Sequence, residues 1–193
     1  METINIILSG LGGQGILFMT RVLAQAALDK GFNVMGAETH GMAQRGGSVV
    51  SHLRLGETKS SLVRTGTAHF LLSLEENEGY RNLPFLSRGA KMYVNTNSKH
   101  FPREEVKELL NKRNIIYRSI PAGIIAQDLG APRSSNLALL GYFSAFNKVP
   151  IGYKDIKATI DTISPKKFKD INLKVFEAGY RRGKNTINKN IFD

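Results

Sequence analysis

Residues able to do chemistry gather in two short stretches near the start of the chain. The first is Ser9-Gly10-Leu11-Gly12-Gly13-Gln14-Gly15, in which Gly10, Gly12 and Gly15 fit the spacing G-x-G-x-x-G. It follows the β-branched and aliphatic run Ile4 to Leu8 and leads at once into an apolar helical pattern. A strand, a glycine turn and a helix in that order leave unpaired backbone amides pointing out of the helix N-terminus, where an anion is favoured. The second stretch is Glu38-Thr39-His40-Gly41-Met42-Ala43-Gln44-Arg45-Gly46-Gly47-Ser48, polar, glycine-rich and without helical periodicity. Arg45 followed by Gly46 and Gly47 suits a guanidinium and backbone amides offered to an anion or carboxylate. Candidate ligand contacts are therefore Gly10, Gly12, Gly13, Gln14 and Gly15 from the first loop, with Glu38, His40, Gln44, Arg45, Gly46 and Gly47 from the second.

Other chemistries find no support. No His pairs with another His or a carboxylate at metal-ligand spacing; His52 and His69 fall in strand patterns and read as structural, which leaves His40 as the histidine to test. Walker A, HExxH, nucleophile-elbow and Ser-x-x-Lys patterns are absent, so no catalytic set is assigned. The chain has no cysteine, which excludes disulfides, a thiolate nucleophile and any iron–sulfur cluster held by its own thiolates. Glu38, a little over twenty residues past the glycine loop, is where a dinucleotide site would hold a ribose hydroxyl. A stand-alone NAD(P)-binding oxidoreductase or sensor domain is thus the alternative reading.

The elements that must position these loops come in alternation. Ile16, Leu17, Val22, Leu23, Ala26 and Ala27 give the first helix, to about Lys30, one buried stripe, and Gly31 caps it. Phe32 to Ala37 reads as a second strand. Val49 to Leu55 with Ser60 to Arg64 reads as a hairpin inserted beside the sheet. Ala68 to Leu74 reads as a strand buried on both faces, and Ala90 to Asn95 and Asn114 to Ile120 as further strands. Helices are expected over Asn77 to Ser87 with a break near Pro84, Pro102 to Asn111, Pro121 to Leu129, Leu137 to Phe146, Tyr153 to Ile163 and Pro165 to Gly183. The pattern predicts an α/β fold: a Rossmann-like, mostly parallel open sheet with helices on both faces and an inserted β-hairpin. Residues 1–183 make one domain. The tail 184–193 has little to bury and is expected to be disordered or to dock on a partner.

With 193 residues and 41% hydrophobic content the chain suits one soluble domain, expected to be cytoplasmic, with no membrane-length apolar run and no signal peptide. A formal net charge of +11 favours anionic partners: a phosphorylated cofactor, an acidic protein or nucleic acid. No aromatic–basic module or recognition-helix pattern supports the last of these.

Taken together, Ser9 to Gly15, Glu38 to Gly47 and Ser51-His52-Leu53-Arg54 resemble the gamma-type component of 2-oxoacid:ferredoxin oxidoreductases, most closely the small, beta subunit of the indolepyruvate type. Asn136 with Leu139-Leu140-Gly141, and Gly179-Tyr180, fall where that family has features, so the likeness covers roughly residues 4 to 183. The resemblance implies a subunit, inactive alone, of an enzyme that converts a 2-oxoacid, coenzyme A and oxidised ferredoxin into acyl-CoA, carbon dioxide and reduced ferredoxin. It implies that thiamine diphosphate, magnesium and 4Fe–4S clusters sit in a large partner subunit. Coenzyme A is the phosphate-rich ligand that the glycine loop and Arg45 would suit.

Overall fold

The computed structural model describes residues 3–41, 46–146 and 150–192, the side chains at 40 and 189–192 excepted. Strand β1 (Ile4–Leu11) runs through the middle of the molecule. Its side chains alternate between two apolar layers, Ile6 and Leu8 on one face and Ile7 on the other, as a period of two requires. Helix α1 (Ile16–Asp29) packs Met19, Val22, Leu23, Ala26 and Ala27 onto the first face. Gly31, at φ +80°, follows its C-terminus, as expected of a helix-ending glycine.

Strands β2 (Val34–His40) and β3 (Ser48–Leu55) form an antiparallel hairpin, and β3 lies between β2 and β1. Strands β4 (Ala68–Ser73), β5 (Leu86–Asn95) and β6 (Ile116–Ile120) extend the sheet in parallel on the other side of β1, giving the order β2-β3-β1-β4-β5-β6. Helices α2 (Glu76–Arg81) and α3 (Glu104–Lys112) follow β4 and β5, and Leu110 of α3 joins the second face's layer. Helices α4 (Ala122–Asp128), α5 (Ser135–Phe146), α6 (Tyr153–Ile163) and α7 (Lys169–Phe192) add Ala126, Phe143, Ile160 and Phe176 to the first. The sheet is mostly parallel and covered on both faces, as read from the sequence.

The hairpin is the main departure from that reading. β3 was expected beside the sheet with Ser60 to Arg64 as its partner strand; it lies inside the sheet, with β2 as its partner. Residues 60–64 form no strand, because side chains of β3 occupy the groups a ladder would use. Arg54 NH1 donates to Ser60 O at 2.8 Å, and Val63 N donates to His52 Nδ1 at 3.2 Å. Two further boundaries moved. Leu86 and Ser87 begin β5 rather than end a helix, and α7 continues past Gly183 to Phe192.

Helices α5 and α7 cross very closely. A Cβ at Gly141 would fall on the carbonyl oxygen of Phe176, and one at Gly179 on that of Ala138. Backbone meets backbone there, so neither position has room for a side chain. Both glycines belong to the set that the resemblance singled out, and the close approach is the physical reason for them.

Candidate functional site

The two glycine loops meet. Gly10 and Leu11, ending β1, pair with Val49 and Ser48, opening β3. Gly12 N then donates to Gly47 O at 2.9 Å, and Gly41 N donates to Ser48 O at 2.8 Å, closing the base of the second loop. Gly10 to Gly15 and Gly46 to Gly47 thus share one end of the sheet. Gln44 and Arg45 lie outside the described residues. The backbone of His40 ends β2, and its side chain lies outside them too.

The glycines do different work. Gly13 and Gly15 have φ of +96° and +83°, the left-handed region that side chains disfavour. Gly15 is the residue before α1, and its carbonyl accepts both Met19 N at 3.1 Å and Asn136 Nδ2 at 3.1 Å. A Cβ at Gly15 would collide with that same Asn136 amide. A Cβ at Gly10 would lie 2.8 Å from Gln14 Oε1 and 3.2 Å from Leu74 Cβ, so Gly10 serves internal packing. Asn136 is buried and stands at the start of α5, so the first turns of two helices are locked together.

Gln14 turns inward. Its Oε1 accepts from Leu11 N at 2.8 Å, and its Nε2 donates to Glu75 Oε1 at 2.5 Å. After β1 the chain builds β2 and β3 on one side, then returns to place β4 on the other. The gap between β1 and β4 is therefore the switch point at which open α/β sheets take ligands. Gln14, from the loop after β1, and Glu75, from the loop after β4, span that gap. A second carboxylate, this one buried, supports the other loop: Glu78 accepts from Ser48 Oγ at 2.6 Å and from Arg81 NH1 at 2.6 Å. Glu78 carried no signal in the sequence, because its partner lies thirty residues upstream in a strand whose placement was unknown.

The N-terminus of helix α1 is left without a side-chain partner. It has no side-chain cap and no acid in its first turn, and the first-turn amides of any helix lack intrahelical acceptors. Beside them is a hollow of about 480 Å³, the larger of two at this end of the sheet; the smaller is about 380 Å³. The larger is lined by Leu11, Gly12, Gly13, Ile16, Phe18 and Arg21, among others. The smaller, more polar one lies over the ends of β4 and β5. There Glu76 accepts from Thr96 Oγ1 at 2.8 Å and Tyr80 OH at 2.9 Å, with Arg103 Nε 3.7 Å away. Burial pushes the Tyr80 phenol up to about 12, so it stays a donor to Glu76 at neutral pH.

Glu38 is not beside the glycine loop. It pairs with Ser51 of β3, which pairs in turn with Leu8 of β1, so Glu38 sits two strands from β1, about 10 Å at ordinary strand spacing. A dinucleotide fold needs its acidic strand next to β1; here β3 occupies that place. The stand-alone NAD(P) reading is therefore not favoured. His52 and His69 are structural, as expected: His69 Nδ1 accepts from Asn5 N at 3.0 Å, and buried His52 meets Phe85 edge-on at 5.2 Å.

Comparison with known proteins agrees with this geometry. The profile of the family described as pyruvate ferredoxin/flavodoxin oxidoreductase matches residues 5–182. Indolepyruvate oxidoreductase subunit IorB of Archaeoglobus fulgidus is 34% identical over 190 residues, covering 93% of this chain and 94% of that one. The same subunit of Methanothermobacter thermautotrophicus is 33% identical over 187 residues, covering 91% and 95%. Among solved structures, the gamma subunit of a keto/oxoacid ferredoxin oxidoreductase from Geobacter sulfurreducens superposes with a TM-score of 0.72 at 21% identity, over 93% of this chain and 98% of that one. A 2-oxoglutarate:ferredoxin oxidoreductase from Magnetococcus marinus, solved with 2-oxoglutarate, coenzyme A and succinyl-CoA, gives a TM-score of 0.77 at 21% identity, over 96% of this chain and 32% of that one. At those identities the structural likeness speaks for the fold alone. The match along nearly the whole chain and the identity to full-length relatives decide the family: this chain belongs to the pyruvate ferredoxin/flavodoxin oxidoreductase family.

Proposed function

We propose that the chain is the small subunit of a cytoplasmic, thiamine-dependent 2-oxoacid:ferredoxin oxidoreductase whose substrate is an aryl pyruvate of the indolepyruvate kind. The observation that carries this reading is the one-third identity to indolepyruvate oxidoreductase small subunits over nearly their full length. The complete enzyme takes a 2-oxoacid, coenzyme A and oxidised ferredoxin to acyl-CoA, carbon dioxide and reduced ferredoxin. Thiamine diphosphate with magnesium supplies the decarboxylation chemistry and 4Fe–4S clusters the electron path, both on a large partner subunit, through which ferredoxin is served. The total lack of cysteine here agrees with that division. No helix among the described residues is long and apolar enough to cross a membrane.

This chain's own part is binding and orientation. The first-turn amides of α1, with Gly12 and Gly13 before them and Arg45 from the loop that Gly47 ties alongside, would hold phosphate groups of coenzyme A. The observations that support a fit are the uncapped helix N-terminus without an acid in its first turn and the 480 Å³ hollow adjoining it. Gln14 takes a different role from the one its position in the motif suggested. It braces the loop, accepting from Leu11 N and donating to Glu75.

The test is reconstitution. Co-expressed with its large subunit, the chain should co-purify and support coenzyme A-dependent reduction of a viologen dye, fastest with indolepyruvate among a panel of 2-oxoacids. Failure of the two chains to associate, or a preference for 2-oxoglutarate or pyruvate, would overturn the corresponding half of the proposal.

A further inference from the structure

A third hollow, of about 320 Å³, shares Gly15 and Phe18 with the glycine-loop hollow. Three separate elements build it: the N-terminal turn of α1, the turn entering α5 with Arg133 and Leu137, and the turn entering α7 with Pro165 and Phe168. Phe168 is 50% exposed. Leu17, on the same end of α1, is 43% exposed. Among the described residues no carboxylate lines this hollow or the neighbouring one; Arg133 lines it, and the exposed Lys166 and Lys167 lie in the turn between its lining residues Pro165 and Phe168. The Lys167 ammonium sits 5.6 Å from the Phe168 ring centre, a cation over an aromatic face.

We infer that this hollow is the docking socket for the large subunit, and that it receives an aliphatic or aromatic side chain of that subunit flanked by carboxylates. The inference rests on the subunit reading above and adds to it a place. The charge argument selects the occupant. A chain of formal net charge +11 that leaves aromatic surface open beside three cations, with no acid of its own in the lining, is complementary to an apolar anchor carrying negative charge. A large aromatic in a partly enclosed pocket is also the kind of position that concentrates binding energy in an interface. A segment docked here would reach Gly15 and Phe18, and so would sit against the glycine loop's hollow.

The experiment measures assembly of the full-length pair, with the small subunit titrated against the immobilised large subunit. Phe168→Asp should weaken binding by at least tenfold. Arg133→Glu should weaken it at low salt, with a loss that shrinks as ionic strength rises. Leu28→Asp, on the opposite end of α1 and also 50% exposed, should bind as wild type. Circular dichroism and a thermal melt of each free variant establish that it folds. Wild-type affinity for a folded Phe168→Asp chain would overturn the socket and leave the subunit reading standing. No assembly of the wild-type pair would instead overturn the subunit reading itself. If the isolated chain forms a homodimer that Phe168→Asp dissolves, the occupant is a second copy and the assignment to the large subunit is wrong.

Discussion

Replacing Gly15 by alanine tests the geometry that holds the candidate site together. The new methyl group faces two separate costs. Gly15 has φ +83°, and an L-residue in that region pays about 1–2 kcal/mol. The methyl also lands on Asn136 Nδ2, which now donates to Gly15 O at 3.1 Å. Moving Asn136 away breaks that bond and leaves a buried amide unpaired, about 1–2 kcal/mol more. The sum is about 2–4 kcal/mol, and for a chain of this size each kcal/mol lowers Tm by about 2–4 °C. A fall of roughly 5–15 °C is expected. The Asn136→Ala background sharpens the test. With the amide gone the collision is relieved, and Gly15→Ala should then cost only the backbone strain, so the two changes couple by at least about 1 kcal/mol. Urea denaturation of the four chains of the cycle measures this. Additive effects, or an alanine at 15 that costs nothing, would refute the claim that this glycine exists for both its φ and its contact with α5.

Three further outcomes follow from the same coordinates. Gln14→Leu removes the bond to Glu75 that spans the β1–β4 gap and the local bond from Leu11 N; the chain should stay folded and lose about 1–2 kcal/mol in urea. In the assembled enzyme the same change should raise the KM for coenzyme A while leaving that for the 2-oxoacid unmoved. Gly179→Ala drives a methyl group into the Ala138 carbonyl and must push α5 and α7 apart, at about 3 kcal/mol; a lower urea midpoint and poor soluble yield should report it. His52 is held by burial below its ordinary value of 6.5, and its neutral Nδ1 accepts from Val63 N. The unfolded chain therefore takes up this proton first as pH falls, so the stability tied to neutral His52 is complete above about pH 6.5 and is lost below it. His52→Gln should flatten the fall in urea midpoint between about pH 7.5 and about pH 5.5.

Much of this was legible before the structure, for identifiable reasons. Ala68 to Leu74 read as a strand because it is nearly all apolar, as in a sheet buried on both faces, and Ile4 to Leu8 because it is rich in β-branched and aliphatic residues. The extent of α6, Tyr153 to Ile163, followed from its amphipathic period and the proline and glycine before it. What escaped the sequence was pairing. Val49 to Leu55 is plainly a strand, but nothing local says that it inserts between β1 and β2, and that insertion is what removes Glu38 from the site. Ser60 to Arg64 has strand-like composition, yet Arg54 and His52 capture its backbone. The roles of Gln14 and Glu75 were hidden for the same reason: their bond joins residues 61 positions apart. The two glycine loops, inferred to be one site from their types alone, are joined by the Gly12–Gly47 bond.

That joined surface is the centre of the account, and steady-state kinetics of the reconstituted enzyme with Arg45→Gln in the small subunit tests it most directly. The account predicts a KM for coenzyme A raised about tenfold, the equivalent of one lost charge-assisted contact, with the KM for the 2-oxoacid and the assembly of the subunits unchanged. An unchanged KM for coenzyme A in a fully assembled enzyme would contradict it.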